Sequence, residues 1–211
     1  MPLDGHFPKE SQDRIAEAVR RAEARSTGQV VPVVVERSEP YEEARWIAAV
    51  IGAALATALV ELVVPDPQVA EVLVIQVLGG LVGWFTGHLA PVERLLAGKR
   101  HQANAVHGRA EQAFLEHGLH QTRHGTGVLV FASLRERRAE IIGDRGIHAR
   151  MGDDGWQRAV DALVEGLRQD KPGHGFEAAI DQVGAILAEH FPRAEGAPVV
   201  NELPDELIRD R

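Results

Sequence analysis

The chain has 211 residues, a net charge of −8, a pI near 5.7 and 26% charged residues, and it contains no cysteine. That acidity excludes a basic nucleic-acid footprint, so no nucleic-acid partner is expected, and it excludes adsorption to anionic lipid by charge alone. Without cysteine there is no disulfide, no thiolate-held zinc or iron–sulfur cluster, and no thiol nucleophile.

The opening stretch "MPLDGHFPKESQDR" has no apolar core, so no cleaved signal peptide is expected. From "PKESQDRIAEAVRRAEARSTG" a helix is predicted, with Ile15, Val19 and Ala22 as its apolar stripe, Ser11 as N-cap and Gly28 as its stop. "QVVPVVVE", Gln29 to Glu36, is a β-branched run and reads as a strand. Pro32 inside it predicts an edge position, because proline cannot donate to a ladder.

Next comes "WIAAVIGAALATALVELVV", Trp46 to Val64, whose one charge is Glu61. At ~1.5 Å per residue it reaches ~28 Å, close to the ~30 Å hydrocarbon core of a bilayer. A second apolar run, "VAEVLVIQVLGGLVGWFTGHLA", spans Val69 to Ala90, with Gln76 as a polar residue expected to face a partner helix. "PDPQ", Pro65 to Gln68, is short enough to force an antiparallel hairpin. Trp46 and Trp84-Phe85 then fall at one interface as an aromatic belt. Arg37 and Arg45 precede the hairpin, and Arg94, Lys99 and Arg100 follow it, whereas its tip carries no positive charge. The positive-inside bias therefore predicts a multi-pass protein of the cell inner (cytoplasmic) membrane, with its polar domain in the cytoplasm. Gly79, Gly83 and Gly87 repeat every fourth residue, and Gly52 and Ala56 form a similar ridge. Such ridges either join the two helices of one hairpin or join two hairpins into a homodimer.

A helix from about Pro91 to His117 follows, ending at Gly118. "TGVLVFAS", Thr126 to Ser133, reads as a buried strand, and "LRER" turns it into an antiparallel "RAEIIGD", Arg138 to Asp144. Trp156, Val160, Leu163, Val164 and Leu167 mark one helix, and Phe176, Ile180, Val183 and Leu187 another, with "DKPGHG" as the loop between them. The Pro-rich acidic end is expected to be unpacked, "APVVNELPDELI" serving as a partner-binding segment or adding to a sheet edge. The resulting organisation is an α/β domain in two parts, residues 1–45 and 91–192, interrupted by a transmembrane helical hairpin at 46–90 and closed by an acidic flexible tail at 193–211.

The chemistry is sparse. No nucleophile elbow, phosphate loop, zinc-protease motif or dinucleotide fingerprint occurs. Five of the ten histidines lie between His101 and His124, and His117, His120 and His124 would share a helical face if Gly118 and Gly125 did not break it. "GDRGIHARMGDDGW" is the best candidate. Asp144 ends a strand, and Asp153 and Asp154 precede the Trp156 helix. Three carboxylates at one rim suit a hard cation, Ca²⁺ or Mg²⁺, with no organic cofactor implied. The competing reading makes Asp153 or Asp154 a helix cap and Asp144-Arg145 a turn.

"AEARSTGQVVPVVVERSEPYEEAR", "HGTGVLVFASLRERRAEIIGDRGI" and the following "DDGW" helix resemble the TPM domain. That family is named after a thylakoid lumen phosphatase, a photosystem II repair protein and an accessory subunit of an acetylcholine receptor. The resemblance implies an α/β/α sandwich with a small mixed sheet. It also implies that Thr27-Gly28 leads into the first strand, that Gly127-Val128-Leu129 begins the central one, and that Asp144 with Gly146 marks a rim linked to metal binding or phosphatase activity, which makes Asp144 the candidate catalytic residue. Two features depart from the family pattern: "MPLDGHF" is too short for the extra N-terminal segment of many relatives, and the anchor interrupts the domain. Two functions follow as expectations. One is a membrane-tethered binding or assembly module for membrane-protein partners. The other is a metal-dependent phosphatase acting on phosphoesters at the membrane surface.

Overall fold

The computed structural model describes residues 5–151, 153–194 and 201–210. The chain divides into two units, Met1–Ser38 with Ala105–Arg211, and Glu39–Asn104.

The first unit is built on a four-stranded mixed sheet. The strands are β1 (Gln29–Val35), β2 (Gly127–Ser133), β3 (Arg138–Gly143) and β4 (Ile208–Asp210), in the order β3-β2-β1-β4. β1 runs parallel to β2 and β4, and β3 is antiparallel to β2. One sheet face buries Val30, Val34, Val128, Val130 and Ala132 beneath three helices: α1 (Lys9–Arg25), α7 (Gln157–Arg168) and α8 (Pro172–His190). The opposite face buries Val31, Val33, Val35, Leu129 and Phe131 against Val106, Ala110 and Ala113 of α5 (Lys99–Glu116). The alternation of these positions along β1 is the two-residue period of a strand covered on both faces, which is why its sequence is nearly pure valine. The unit is an α/β/α sandwich with a small mixed sheet.

Pro32 does not mark an edge strand, contrary to the sequence reading. Gln29 donates to the Thr126 carbonyl on the β2 side, so by strand alternation the main-chain groups of Val30, Pro32 and Val34 face the other side. There β4 covers only Val33 to Val35. The missing N–H of Pro32 lies just beyond that short partner and costs no ladder bond. The Val30 N–H on the same side donates to the buried Glu23 carboxylate at 2.9 Å. Burial pushes the Glu23 carboxyl up to about 7, against the lowering effect of that hydrogen bond.

Three further expectations are corrected. The α1 N-cap is Pro8 rather than Ser11. Ser11 sits inside the helix, buried against Gly173, because Phe7 anchors the entry by packing edge-on to Phe176 at 5.9 Å. "PGHG" is the first turn of α8, not part of a loop. Pro172 fits an early helical position, and Gly175 lets α8 approach the backbone of Leu163 and Gly166 in α7. Finally, residues 201–210 pack. Leu207 is buried with the α1–α7–α8 core, while Leu203 and Ile208 pack with the α5 core. Glu202 and Leu203 donate main-chain bonds to Gln29 Oε1. The tail's few apolar residues form no core of their own; they complete one already present, and β4 is added to the sheet edge within the same chain.

The second unit contains α2 (Glu42–Val63), α3 (Val69–Thr86), α4 (Ala90–Leu96) and the start of α5. Gly98, at φ +72, separates α4 from α5, so the single helix expected from Pro91 is two. α2 and α3 pack antiparallel through the glycine ridges. A Cβ at Gly79 would lie 2.6 Å from the Gly52 carbonyl oxygen, one at Gly83 would lie 2.9 Å from the Ala49 Cα, and one at Gly87 would lie 2.9 Å from the Arg45 Cα. The ridges therefore seal one hairpin. Trp46 and Trp84 meet edge-on at 4.6 Å, which puts the aromatic residues at the same end. Both helices are long and apolar enough to cross a membrane.

Candidate functional site

Asp144 stands at the rim expected for it, directly after β3. Its amide donates to the Gly127 carbonyl, its Oδ1 accepts the Arg145 amide at 2.7 Å, and its carbonyl accepts the Ile147 amide. These bonds start the short helix α6 (Arg145–Met151). Gly125 (φ +62) forms the facing loop, and the Gly146 amide donates to its carbonyl. A Cβ at Gly146 would lie 2.6 Å from that oxygen, so the close approach demands glycine. Asp153 and Asp154 begin a 3₁₀ turn, Asp153–Trp156, that leads into α7; their side chains lie outside the described residues. A hard cation takes about six to eight oxygens. Among the described side chains the rim contributes the Asp144 carboxylate, whose Oδ1 caps the Arg145 amide.

The histidines separate as the glycines predict. α5 ends at Glu116, and Gly118 and Gly125 both have positive φ. His117 turns to β4, its Nε2 lying 3.1 Å from Asp210 Oδ2, and Arg109 reaches the same oxygen at 3.0 Å. Glu116, His117 and Asp210 could offer ligand atoms to one ion. The Arg109 guanidinium, which binds both Glu116 and Asp210, already supplies the positive charge there. The cluster acts as a clasp that holds β4 to the end of α5.

A different region has the shape of a binding site. Along β3 runs an open cleft of about 400 Å³, with Ala139 to Gly143 as its floor. His107 and Glu111 of α5 form one wall, and Trp156, Gln157 and Val160 form the other. His107 Nδ1 lies 3.0 Å from Glu140 Oε2, and its Nε2 lies 3.4 Å from Glu111 Oε1. The hydrogen bond to Glu140 holds the His107 imidazole above its ordinary pKa, with both carboxylates adding attraction and partial burial opposing it. Across the cleft, Gln157 donates to Asp161 at 2.8 Å. The sequence reading missed this cleft. Its residues are i, i+4 neighbours on α5 and alternate positions on β3, and nothing in the sequence brings the two segments together.

Residues 93–186 match the family model for the TPM domain. That stretch covers β2, β3, α5–α7 and most of α8, while α1, β1 and β4 complete the same unit from outside it. The fold is similar to the NMR structure of the BA42 protein from the psychrophilic bacterium Bizionia argentinensis. The TM-score is 0.58 at 18% identity, over 97% of this chain and 95% of that one, and at such identity the likeness concerns the fold alone. Comparison with curated proteins finds no match.

Proposed function

We propose, from the TPM domain match over residues 93–186 and the two apolar helices, that the chain is a membrane-anchored member of the TPM domain family acting as a binding module: the hairpin spans the inner membrane and the α/β/α unit recruits or stabilises membrane-protein partners on the cytoplasmic side. The observation that carries this reading is the outward surface of the hairpin. Leu62 is 83% exposed, Val69 76% and Phe85 70%, although small residues fill the seam between the helices. Surface of that extent and apolarity needs lipid or an intramembrane partner around it.

Binding is favoured over phosphoester hydrolysis by the local chemistry. Ser133, hydrogen-bonded to Glu136, is a hydroxyl beside a carboxylate, but both residues are buried away from any substrate. Gln76 supports a partner within the bilayer, because it is exposed on α3, where hydrocarbon alone would leave its amide unsatisfied. The reading is tested by washing membranes that contain the full chain with alkaline carbonate and then cross-linking in the native membrane. Retention of the chain, with capture of a membrane protein that Gln76→Leu weakens, is the expected result. Release by carbonate contradicts the anchor.

A further inference from the structure

Among the described residues β3 is the free edge of the sheet, since its neighbours in the order end with β2. Asp144 donates to the Gly127 carbonyl on the β2 side, so strand alternation turns the main-chain N–H and C=O groups of Ala139, Ile141 and Gly143 outward into the cleft. Among the described residues no main-chain partner meets them. Edge strands are normally blunted by lysine, proline or a bulge. β3, with the sequence RAEIIG, has none of these; its charges are Arg138 and Glu140, whose main-chain groups face β2, and it is recessed between α5 and the Trp156–α7 wall. That recess keeps out a flat sheet but admits one strand. From Ala139 to Gly143 the edge extends ~17 Å at ~3.3 Å per residue, enough to register a short extended segment.

We propose that this cleft binds an extended, lysine- or arginine-bearing peptide segment of a partner protein, which adds to β3 as a fifth strand. This rests on the binding-module reading and identifies its docking site. Main-chain bonds to Ala139, Ile141 and Gly143 give affinity, and side chains at alternate positions give specificity. On one face a cation joins Glu111 and Glu140, two carboxylates bridged by the single imidazole of His107; on the other, apolar side chains meet Trp156 and Val160, with Asp161 at the margin. The charge argues against a second copy as the occupant. Two β3 strands paired about a twofold axis would keep Glu111 and Glu140 of both chains on the same face, carboxylates against carboxylates.

The test uses the full chain in a mild detergent and a fluorescein-labelled seven-residue peptide of alternating valine and lysine, read by fluorescence polarisation. The controls are the same peptide with glutamate in place of lysine, and the lysine peptide N-methylated at alternate amides. The lysine peptide should bind, with slowed amide exchange at Ala139, Ile141 and Gly143, and both controls should bind about tenfold more weakly or worse. Ile141→Pro removes an outward N–H without touching the ladder to β2, and should weaken binding at least as much. The double variant Glu111→Lys, Glu140→Lys should instead prefer the glutamate peptide, which remains decisive if the proline variant melts early. Equal binding of all three peptides, or binding indifferent to these variants, overturns the proposal. So does concentration-dependent dimerisation that Ile141→Pro abolishes in the absence of peptide binding. If the peptide fails to bind while native-membrane capture of a partner persists, strand addition falls and the broader binding reading stands.

Discussion

The hairpin and the sandwich use the same residue types in opposite senses. In the sandwich, valine, leucine and phenylalanine are buried on both faces of the sheet, and charged side chains cover the outside. In the hairpin the interior is small, with Gly52, Gly79, Gly83 and Ala48 in contact, while leucine, valine and phenylalanine face outward. A hairpin in a bilayer, as proposed, accounts for the difference through its solvent. Water drives large apolar groups inward, whereas hydrocarbon gives them no reason to leave the surface and lets backbone proximity decide the packing.

That contrast breaks most visibly by exchanging the two rules. Phe176→Ala removes a fully buried ring from the α1–α7–α8 core and should cost about 3–5 kcal/mol of the sandwich's stability. Leu62→Ala, on the exposed face of α2, should leave the sandwich's melting unchanged. Thermal unfolding monitored at Trp156 would measure both, and equal losses would mean that the two regions share one packing rule.

The second largest effect concerns the chain end. Deleting residues 201–211 removes buried Leu207, β4, the Gln29 bonds and the Arg109–Asp210–His117 clasp, and should lower stability by roughly 2–4 kcal/mol. An unchanged melting temperature would return the tail to the flexible role its composition suggested.

pH sharpens the comparison further, because the sandwich carries a buried carboxyl. Glu23 binds its proton more tightly folded than unfolded, with its carboxyl raised to about 7 by burial. Between the ordinary glutamate range and about pH 7 the native state thus holds more protons, and this contribution to stability falls as pH rises. It is fully present below about pH 4.5, is gone above about pH 7, and amounts to at most ~3 kcal/mol. Glu23→Gln should flatten that part of the pH–stability curve in chemical denaturation. A parallel curve would place the titration elsewhere.

The smallest effect is at the rim. Asp144→Ala loses the cap on the Arg145 amide, and should cost about 1 kcal/mol with no response to Ca²⁺ or Mg²⁺. A melting shift with millimolar metal in the wild type, abolished by Asp144→Asn, would instead support the three-carboxylate cation site of Asp144, Asp153 and Asp154.

Legibility in the sequence followed the range of the interactions. The two apolar helices, their turn and the meeting of Trp46 with Trp84 were readable because each depends on patterns close in sequence. So were β2 with its antiparallel β3 and the helix breaks at Gly118 and Gly125. Pro32 misled because a proline says only that its own N–H is absent. That β4 stops short of it depends on residues some 170 positions away. The tail misled for the same reason: Leu203, Leu207 and Ile208 are too few for a core, and nothing local announces that they complete two existing ones. Asp144 was legible as a strand end followed by a turn. The cleft beside β3 was not, since His107 meets Glu140 only after α5 has packed across the sheet.

The central claim, that the hairpin crosses the bilayer with the sandwich inside, has a direct measurement. The chain has no cysteine, so Gln68→Cys at the hairpin tip and Arg158→Cys on exposed α7 each provide a single reporter. In intact cells an impermeant maleimide should label the Gln68 variant and spare the Arg158 variant, which should react only after lysis. Labelling of the Arg158 variant in intact cells, or protection of the Gln68 variant until lysis, would contradict the account.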